Sequence, residues 1–195
     1  MKLFIKIIGL QFNHLIIKKF LEEKDVQKPI PNGTEHSVHA DAFLVSKTDT
    51  HGKITYCNEP FIKIVGASEQ DILGKPHNIV RHPDMPRIVF KLLWDKVKAK
   101  EEIFAYVKNL SFDGGCYWVY ANVTASLDKN GAIVGYYSVR RKANPKALEI
   151  IKPLYEKLLS LEKTGGMEAS YKYLIDILHQ KGVSYEEFSN NLQRL

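Results

Sequence analysis

The central part of the chain consists of short apolar runs separated by turn residues, a pattern typical of β-strands. Two runs, 42–47 and 53–58, flank a Gly-containing turn and predict a hairpin. Three longer runs follow at 103–112, 116–127 and 132–141. The sequences Asp-Gly-Gly and Asp-Lys-Asn-Gly separate them, and both suit hairpin turns. The pattern therefore predicts five strands.

The segment between the second and third strands has helical spacing. It predicts two short helices, 58–65 and 68–73, and a longer helix from residue 84 to about residue 100. Ser68 is expected to cap the second helix, and Asp84 is expected to cap the third. The order β-β-α-α-α-β-β-β predicts an α+β domain, in which a five-stranded antiparallel sheet has helices on one face.

Segments of different character flank this region. A Pro- and Gly-rich stretch at 27–40 is expected to be a linker, so that the domain itself would cover 41–144. Residues 145–195 return to helical spacing and predict a C-terminal helical extension. It consists of three segments, 146–162 with a kink at Pro153, 167–179, and one that starts at Ser184.

Residues 1–26 predict an amphipathic helix, because their apolar side chains recur three and four positions apart. The longest stretch without a formal charge covers only 7–17, and a spanning helix needs about 20 apolar residues. We therefore expect no membrane crossing, and the missing cleavage site argues against export. A docking helix, a coiled-coil partner and a helix at the membrane surface remain alternatives.

Composition and charge narrow the class of protein. The 195 residues are 45% hydrophobic and 26% charged, which is typical of a folded domain with extensions. Two cysteines are too few for a disulfide scaffold or a zinc site, so a reducing cytoplasm is expected. The net charge of +6 is spread along the chain instead of being concentrated on one element. Nucleic-acid binding is therefore not expected.

Residues 74–87, GKPHNIVRHPDMPR, form the densest cluster of polar and charged side chains. Arg81 and His82 near a helix start can bind an anionic or polar ring-bearing ligand. The competing interpretation is that Asp84 only caps the helix and pairs with Arg81. Trp94 can form an aromatic wall against a ligand, or it can pack in the hydrophobic core. Asn109 shares a strand face with apolar residues, where a buried amide without a hydrogen-bond partner is costly, so a ligand or neighbour should satisfy it. The competing interpretation is that this amide faces solvent.

A resemblance to a known family rests on the run 81–86 (RHPDMP), on His77 and Asn78, and on Trp94 and Asn109 at matching spacing. These residues resemble the FAD-binding PAS domains of bacterial aerotaxis receptors, over about residues 41–157. The resemblance implies a PAS fold and a bound FAD. It assigns FAD binding to Arg81, His82, Asp84, Trp94 and Asn109, with His77, Asn78, Asn58 and Asn122 as further candidates; for Asn58, helix capping is the competing interpretation.

The same resemblance implies a cytoplasmic redox sensor, not an enzyme, that signals energy or oxygen status to a membrane-bound chemotaxis transducer. A homodimer and peripheral membrane contact are compatible with this role. The sequence contains no nucleotide-binding glycine loop and no nucleophile elbow. The signal would leave through the outer sheet face around Tyr106, Tyr120 and Tyr136, or through the terminal helices.

Three alternatives to the FAD sensor follow from the same residues. A PAS module without cofactor would act as a dimerisation adaptor. A haem sensor would use His77 or His82 as its axial ligand. A flavin-dependent oxidoreductase would need an acid-base pair, which the sequence does not suggest. Light sensing through a flavin–thiol adduct is not expected, because both cysteines lie outside the segment where a reactive thiol is needed.

Overall fold

A computed structural model describes residues 28–195, and the helix expected at 1–26 lies outside the described residues. The five strands fall where the alternation predicts them. They are β1 Leu44–Thr48, β2 Ile54–Cys57, β3 Ile103–Leu110, β4 Cys116–Leu127 and β5 Ile133–Lys142. They form an antiparallel sheet of order β2-β1-β5-β4-β3. The predicted α+β class and the five-stranded sheet are confirmed.

The helices between β2 and β3 lie on one side of this sheet. They are α1 Glu59–Val65, α2 Glu69–Ile72, a 3₁₀ turn at His77–Val80, and α3 Arg87–Lys98. Two further helices follow the last strand, α4 Pro145–Lys181 and α5 Tyr185–Gln193. Among the described helices, none has both the length and the apolar character required to span a bilayer.

Caps fix where the short helices begin. The side chain of Asn58 accepts a hydrogen bond from the backbone N–H of Phe61, and also one from Val45 on β1. Ser68 and Asp71 form the predicted capping box at α2. The expectation for α3 is wrong, because this helix begins at Arg87 and Asp84 does not cap it. Proline occupies its N-cap position, and a proline side chain has no acceptor.

The cap of α3 comes instead from the C-terminal part of the chain. The Glu162 carboxylate on α4 accepts hydrogen bonds from the backbone N–H groups of Arg87 and Ile88, at 3.0 and 2.9 Å. It also accepts one from the Arg87 Nε, at 3.2 Å. A helix N-terminus attracts negative charge, so this buried carboxylate ties α4 to α3.

Both faces of the sheet are covered, not one. Tyr155 of α4 donates a hydrogen bond to the backbone carbonyl of Tyr106 at 2.8 Å, and Tyr106 donates to Gln193 of α5 at 3.1 Å. Tyr120 donates to Asn190 on α5. Tyr106 and Tyr120 therefore lie under the C-terminal helices, whereas Tyr136, expected on this same face, points to the opposite one and contacts Trp94.

One connection agrees with expectation and one differs. α4 is interrupted at Gly166, whose backbone leaves helical geometry, between the segments expected at 146–162 and 167–179, while Pro153 stays within the helix. The segment expected as a linker pairs with the start of β4: Cys116 donates to the Thr34 carbonyl, and His36 donates to the Cys116 carbonyl. Gly114 lies beneath this segment at a φ of +86°, with Ile30 so close that a side chain at position 114 would collide with it.

Candidate functional site

A cavity of about 270 Å³ lies between the sheet and the segment from the 3₁₀ turn to α3. Strands β1, β3, β4 and β5 form its floor, and α3 covers it. Its apolar walls include Phe90, Leu93, Trp94, Val107 and Tyr136. Its polar lining includes Ser46, His77, Arg81, Asn109, Ser138 and Arg140. Such a lining, mostly apolar with a few converging polar groups, is typical of a small-molecule site.

Asn109 lies on the floor of the cavity. It is only 3% exposed, and its Nδ2 has no hydrogen-bond partner among residues 28–195. Its backbone forms an isolated antiparallel bridge with Arg81, and across the sheet it faces Tyr117 on β4. A buried amide donor without a partner is costly, so this position is suited to a ligand that accepts a hydrogen bond.

Trp94 lies at the open side of the cavity and remains 36% exposed. Its ring meets that of Tyr136 edge to face, with centroids 5.1 Å apart and planes at 84°. Phe90 lies one turn earlier on α3, and the guanidinium of Arg81, which follows the 3₁₀ turn, stacks on its ring at 3.9 Å. The same guanidinium donates to the Met85 carbonyl at 3.2 Å. Together these side chains form an aromatic wall with a cation beside it.

His82 and Asp84 do not line the cavity. The His82 Nδ1 accepts a hydrogen bond from the Asp84 N–H at 3.1 Å, and Asp84 pairs with Lys108 Nζ on β3 at 2.8 Å. Arg81 therefore does not pair with Asp84. Burial, and secondarily the Lys108 charge, lower the pKa of His82. These residues hold the RHPDMP segment against β3, beside Asn109.

Three other predicted residues occupy different environments. Asn78 lines the cavity from an exposed position, where its carbonyl accepts a hydrogen bond from Lys28. Asn58 caps α1 and donates to the Phe43 carbonyl, outside the cavity. Asn122 alternates with the cavity residues Ala121 and Val123, and it donates to Glu102 at 3.0 Å on the opposite face.

Arg140 is the charged cavity residue that sequence reasoning missed, along with the hydroxyls of Ser46 and Ser138. It lies on β5 at 5% exposure and lines the cavity. Its guanidinium donates to Ser46 Oγ at 3.1 Å and to His77 Nε2 at 2.8 Å. Adjacent Arg140 and Arg141 must point to opposite faces of a strand, so the pair signals that one arginine faces inward.

His77 is held in its neutral form. Burial, and secondarily the charge of Arg140, lower its pKa to about 3. Its Nε2 lies within hydrogen-bond distance of both Arg140 and Ser46 Oγ. That nitrogen is therefore engaged by protein donors, which disfavours His77 as a haem ligand through Nε2, and His82 lies away from the cavity.

The cysteines and acidic residues point to no other chemistry at the cavity. Cys57 and Cys116 are buried and free, neither lines the cavity, and burial raises the pKa of both thiols. Within residues 28–195, no group of three or more His, Cys, Asp or Glu side chains is placed to hold a metal ion.

A protein-family model described as PAS fold matches residues 54–140, which include most of the sheet and the whole of α3. This part of the chain has the PAS fold. The solved dark structure of the blue-light photoreceptor Aureochrome1 LOV has a similar fold, with a TM-score of 0.51 over 56% of this chain and 82% of that one. The identity is 24%, so the likeness concerns the fold alone.

Two curated relatives are similar to the PAS region in sequence. The aerotaxis receptor of Escherichia coli (strain K12) is 39% identical over 118 residues, 60% of this chain and 23% of that receptor. A nitrogen fixation regulatory protein of Klebsiella pneumoniae is 26% identical over 104 residues, 53% of this chain and 21% of that protein. This chain thus spans less than a quarter of either relative. The domain is related to the PAS domains of sensor and receptor proteins.

Proposed function

We propose that this PAS domain binds a flavin, as FAD, and acts as a redox sensor for a signalling partner. The ring system of the flavin would occupy the cavity, with Trp94 and Phe90 along its faces and Asn109 at its polar edge. A volume of about 270 Å³ is small for a ligand site, so it suits the ring and not the whole dinucleotide. Arg81 and the exposed Asn78 would contact the remainder.

The buried Asn109 amide is the observation that carries this proposal. Its Nδ2 makes no hydrogen bond of good geometry with the described residues, and the hydroxyl of the neighbouring Tyr117 is buried and equally unpartnered. Val107, on the same face of β3, is apolar. A flavin ring brings carbonyl and nitrogen acceptors together with one N–H donor, and an amide can match both kinds of group. The lining residues therefore fit a flavin in chemistry as well as in volume.

Strand β3 offers a route from the cavity to the outer face. A bound flavin supplies a reversible change of electron count and protonation. Asn109 can respond by exchanging its acceptor for its donor through rotation of the amide. Three residues earlier, Tyr106 points to the other face and is hydrogen-bonded to α5 at Gln193. A shift of β3 would therefore alter the contact between the sheet and the C-terminal helices.

The receiving partner is proposed to be a membrane-bound chemotaxis transducer, with this chain on the cytoplasmic side. The similarity to an aerotaxis receptor supports this assignment. Similarity to a nitrogen fixation regulatory protein supports a sensory role more generally. The C-terminal helices α4 and α5 are the proposed output surface, because they cover the face opposite the cavity.

Purification of the full chain, followed by an absorbance spectrum and chromatography of the released chromophore, tests the proposal. A flavin spectrum that yields FAD supports it. A Soret band would show that the cofactor is haem and not FAD. A protein that stays colourless after FAD is added would favour the cofactor-free adaptor.

A matched pair of variants tests the site itself. Asn109→Ala should lower the affinity for FAD, because it removes the amide from the cavity. Asn122→Ala changes the same residue type on the opposite sheet face and should leave FAD affinity unchanged. Equal affinities for the two variants would exclude Asn109 as a flavin contact. Asn109→Asp that retains both flavin and normal signalling would refute the amide-rotation step.

A further inference from the structure

The cavity contains a buried positive charge without a negative partner. Arg140 is 5% exposed, and no carboxylate of residues 28–195 forms an ion pair with it. Its two hydrogen-bond partners, Ser46 and the neutral His77, carry no charge. The Phe61 ring, 5.3 Å from the guanidinium, offers a cation–π contact and no formal negative charge. Burial lowers the pKa of the guanidinium to about 10, so it stays protonated at neutral pH. An uncompensated buried cation is costly and favours a ligand that supplies negative charge.

The hydrogen bonds of Arg140 within residues 28–195 also leave part of its guanidinium without a partner. A guanidinium has five N–H groups, and its bonds to Ser46 and His77 leave donors unused. Ser138 lies two residues earlier on the same face of β5, and its hydroxyl has no hydrogen-bond partner among the described residues. The Nδ2 of Asn109 also makes no hydrogen bond with them. This side of the cavity therefore presents donors and positive charge together.

We propose that Arg140 recognises the carbonyl edge of the bound flavin and holds the reduced ring as an anion, an inference that rests on the proposed function. The pyrimidine part of an isoalloxazine carries two carbonyl groups and the nitrogen on which negative charge collects after reduction. Arg140 supplies fixed positive charge, and Ser138 and Asn109 supply neutral donors. A guanidinium near this edge is a direct way for a protein to set the charge of a bound flavin.

The charge balance of reduction follows from this arrangement. Two electrons come from an external donor, which is dithionite in the test below, and one proton comes from solvent. The second proton stays in solvent, because the guanidinium already balances the negative charge of the ring. Free reduced flavin loses this proton close to neutral pH, so the effect of the cation is distinct in mildly acidic solution, where both protons would accompany the two electrons without a cation at position 140.

Four forms of the full chain test this inference: wild type, Arg140→Met, Arg140→Lys and Arg141→Met. Arg141 points away from the cavity, where its guanidinium contacts the Tyr120 ring, and it is the matched control. Affinity for lumiflavin, which lacks the sugar and phosphates, is measured by fluorescence quenching. The number of protons taken up per two electrons is measured from midpoint potentials between pH 5 and 6.5, where free reduced flavin keeps its second proton.

Arg140→Met should weaken lumiflavin binding about ten- to hundredfold, the usual worth of a charged hydrogen bond. In this mildly acidic range its reduction should take up two protons, where wild type and Arg141→Met take up one. Arg140→Lys should bind weakly, because it loses the planar fork, and should still take up one proton, because it keeps the charge. A purely structural role would weaken binding in both variants without changing the proton count.

Two results overturn the inference while leaving the proposed function intact. One is a wild-type protein that binds flavin and takes up two protons; the other is a neutral variant that still takes up one. If Arg140→Met does not fold, Arg140→Gln provides the neutral variant. A wild-type chain that binds neither lumiflavin nor FAD refutes the proposed function, and this outcome appears at the binding step, before any redox measurement.

Discussion

Removal of the Glu162 carboxylate should destabilise the protein through a helix far away in sequence. In the native structure, this carboxylate accepts the first backbone N–H groups of α3, from Arg87 and Ile88. Ser170 donates a further hydrogen bond to it at 3.3 Å. The side chain of Ile88 is fully buried, so water cannot easily replace the lost acceptor. Glu162→Ala therefore leaves donors of the first turn without partners.

The size of the loss follows from these contacts. Loss of a helix cap costs about 1 kcal/mol, and an unsatisfied buried donor costs about 1–3 kcal/mol. The ion pair with the half-exposed Arg87 side chain adds little. We expect the free energy of unfolding to fall by about 2–4 kcal/mol. For a chain of this size, a loss of about 3 kcal/mol corresponds to a Tm lowered by about 6–12 °C.

Thermal and urea unfolding of three variants measure this effect. Glu162→Gln keeps one acceptor oxygen and should lose about half as much stability as Glu162→Ala. Glu156→Ala, on an exposed position of the same helix, should stay within about 0.5 kcal/mol of wild type. If Glu162→Ala and Glu156→Ala unfold at the same urea concentration, Glu162 does not cap α3 and the reasoning is refuted.

Two further predictions concern His77 and Gly114. The pKa of His77 is about 3 in the folded protein, against an ordinary value of 6.5. Between these pH values the unfolded chain binds more protons than the folded one. The free energy of unfolding therefore decreases as the pH is lowered from about 6.5 towards 3. His77→Gln should remove up to about 1.4 kcal/mol per pH unit from that slope in urea titrations, and parallel pH profiles would contradict this assignment. Gly114→Ala should destabilise the chain more than Gly131→Ala, because both glycines have positive φ but only the first would collide with the backbone at Ile30. Equal losses of Tm would show that the segment at residue 30 yields freely.

The sheet could be predicted from the sequence because its signals are local. Period-two alternation and hairpin turns identify each strand without knowledge of its partners. The faces were harder to assign, since a shift of one residue moves every side chain to the other side. Tyr136 and Tyr137 are adjacent aromatic residues, as Arg140 and Arg141 are adjacent cations. No local pattern decides which member of each pair faces the cavity.

Long-range contacts explain the other differences. Asp84 precedes α3 and is a good capping residue by type, yet Glu162 caps the helix from 75 residues away. Local propensity cannot reveal a carboxylate that arrives from another helix. The pairing of Thr34 and His36 with Cys116 is equally non-local. The Pro- and Gly-rich composition of this segment predicts a linker. It does not indicate which strand the segment pairs with.

The RHPDMP segment shows how one motif divides between contact and positioning. Arg81 lines the cavity, whereas His82 and Asp84 fasten the segment to Lys108 on β3. Substitutions of His82 or Asp84 would therefore disturb the cavity indirectly, through β3. The same short stretch of β3 presents Asn109 to the cavity and Tyr106 to the C-terminal helices. Because motif, cavity and outer helices meet there, β3 is the element through which a change at the cavity would reach the output surface.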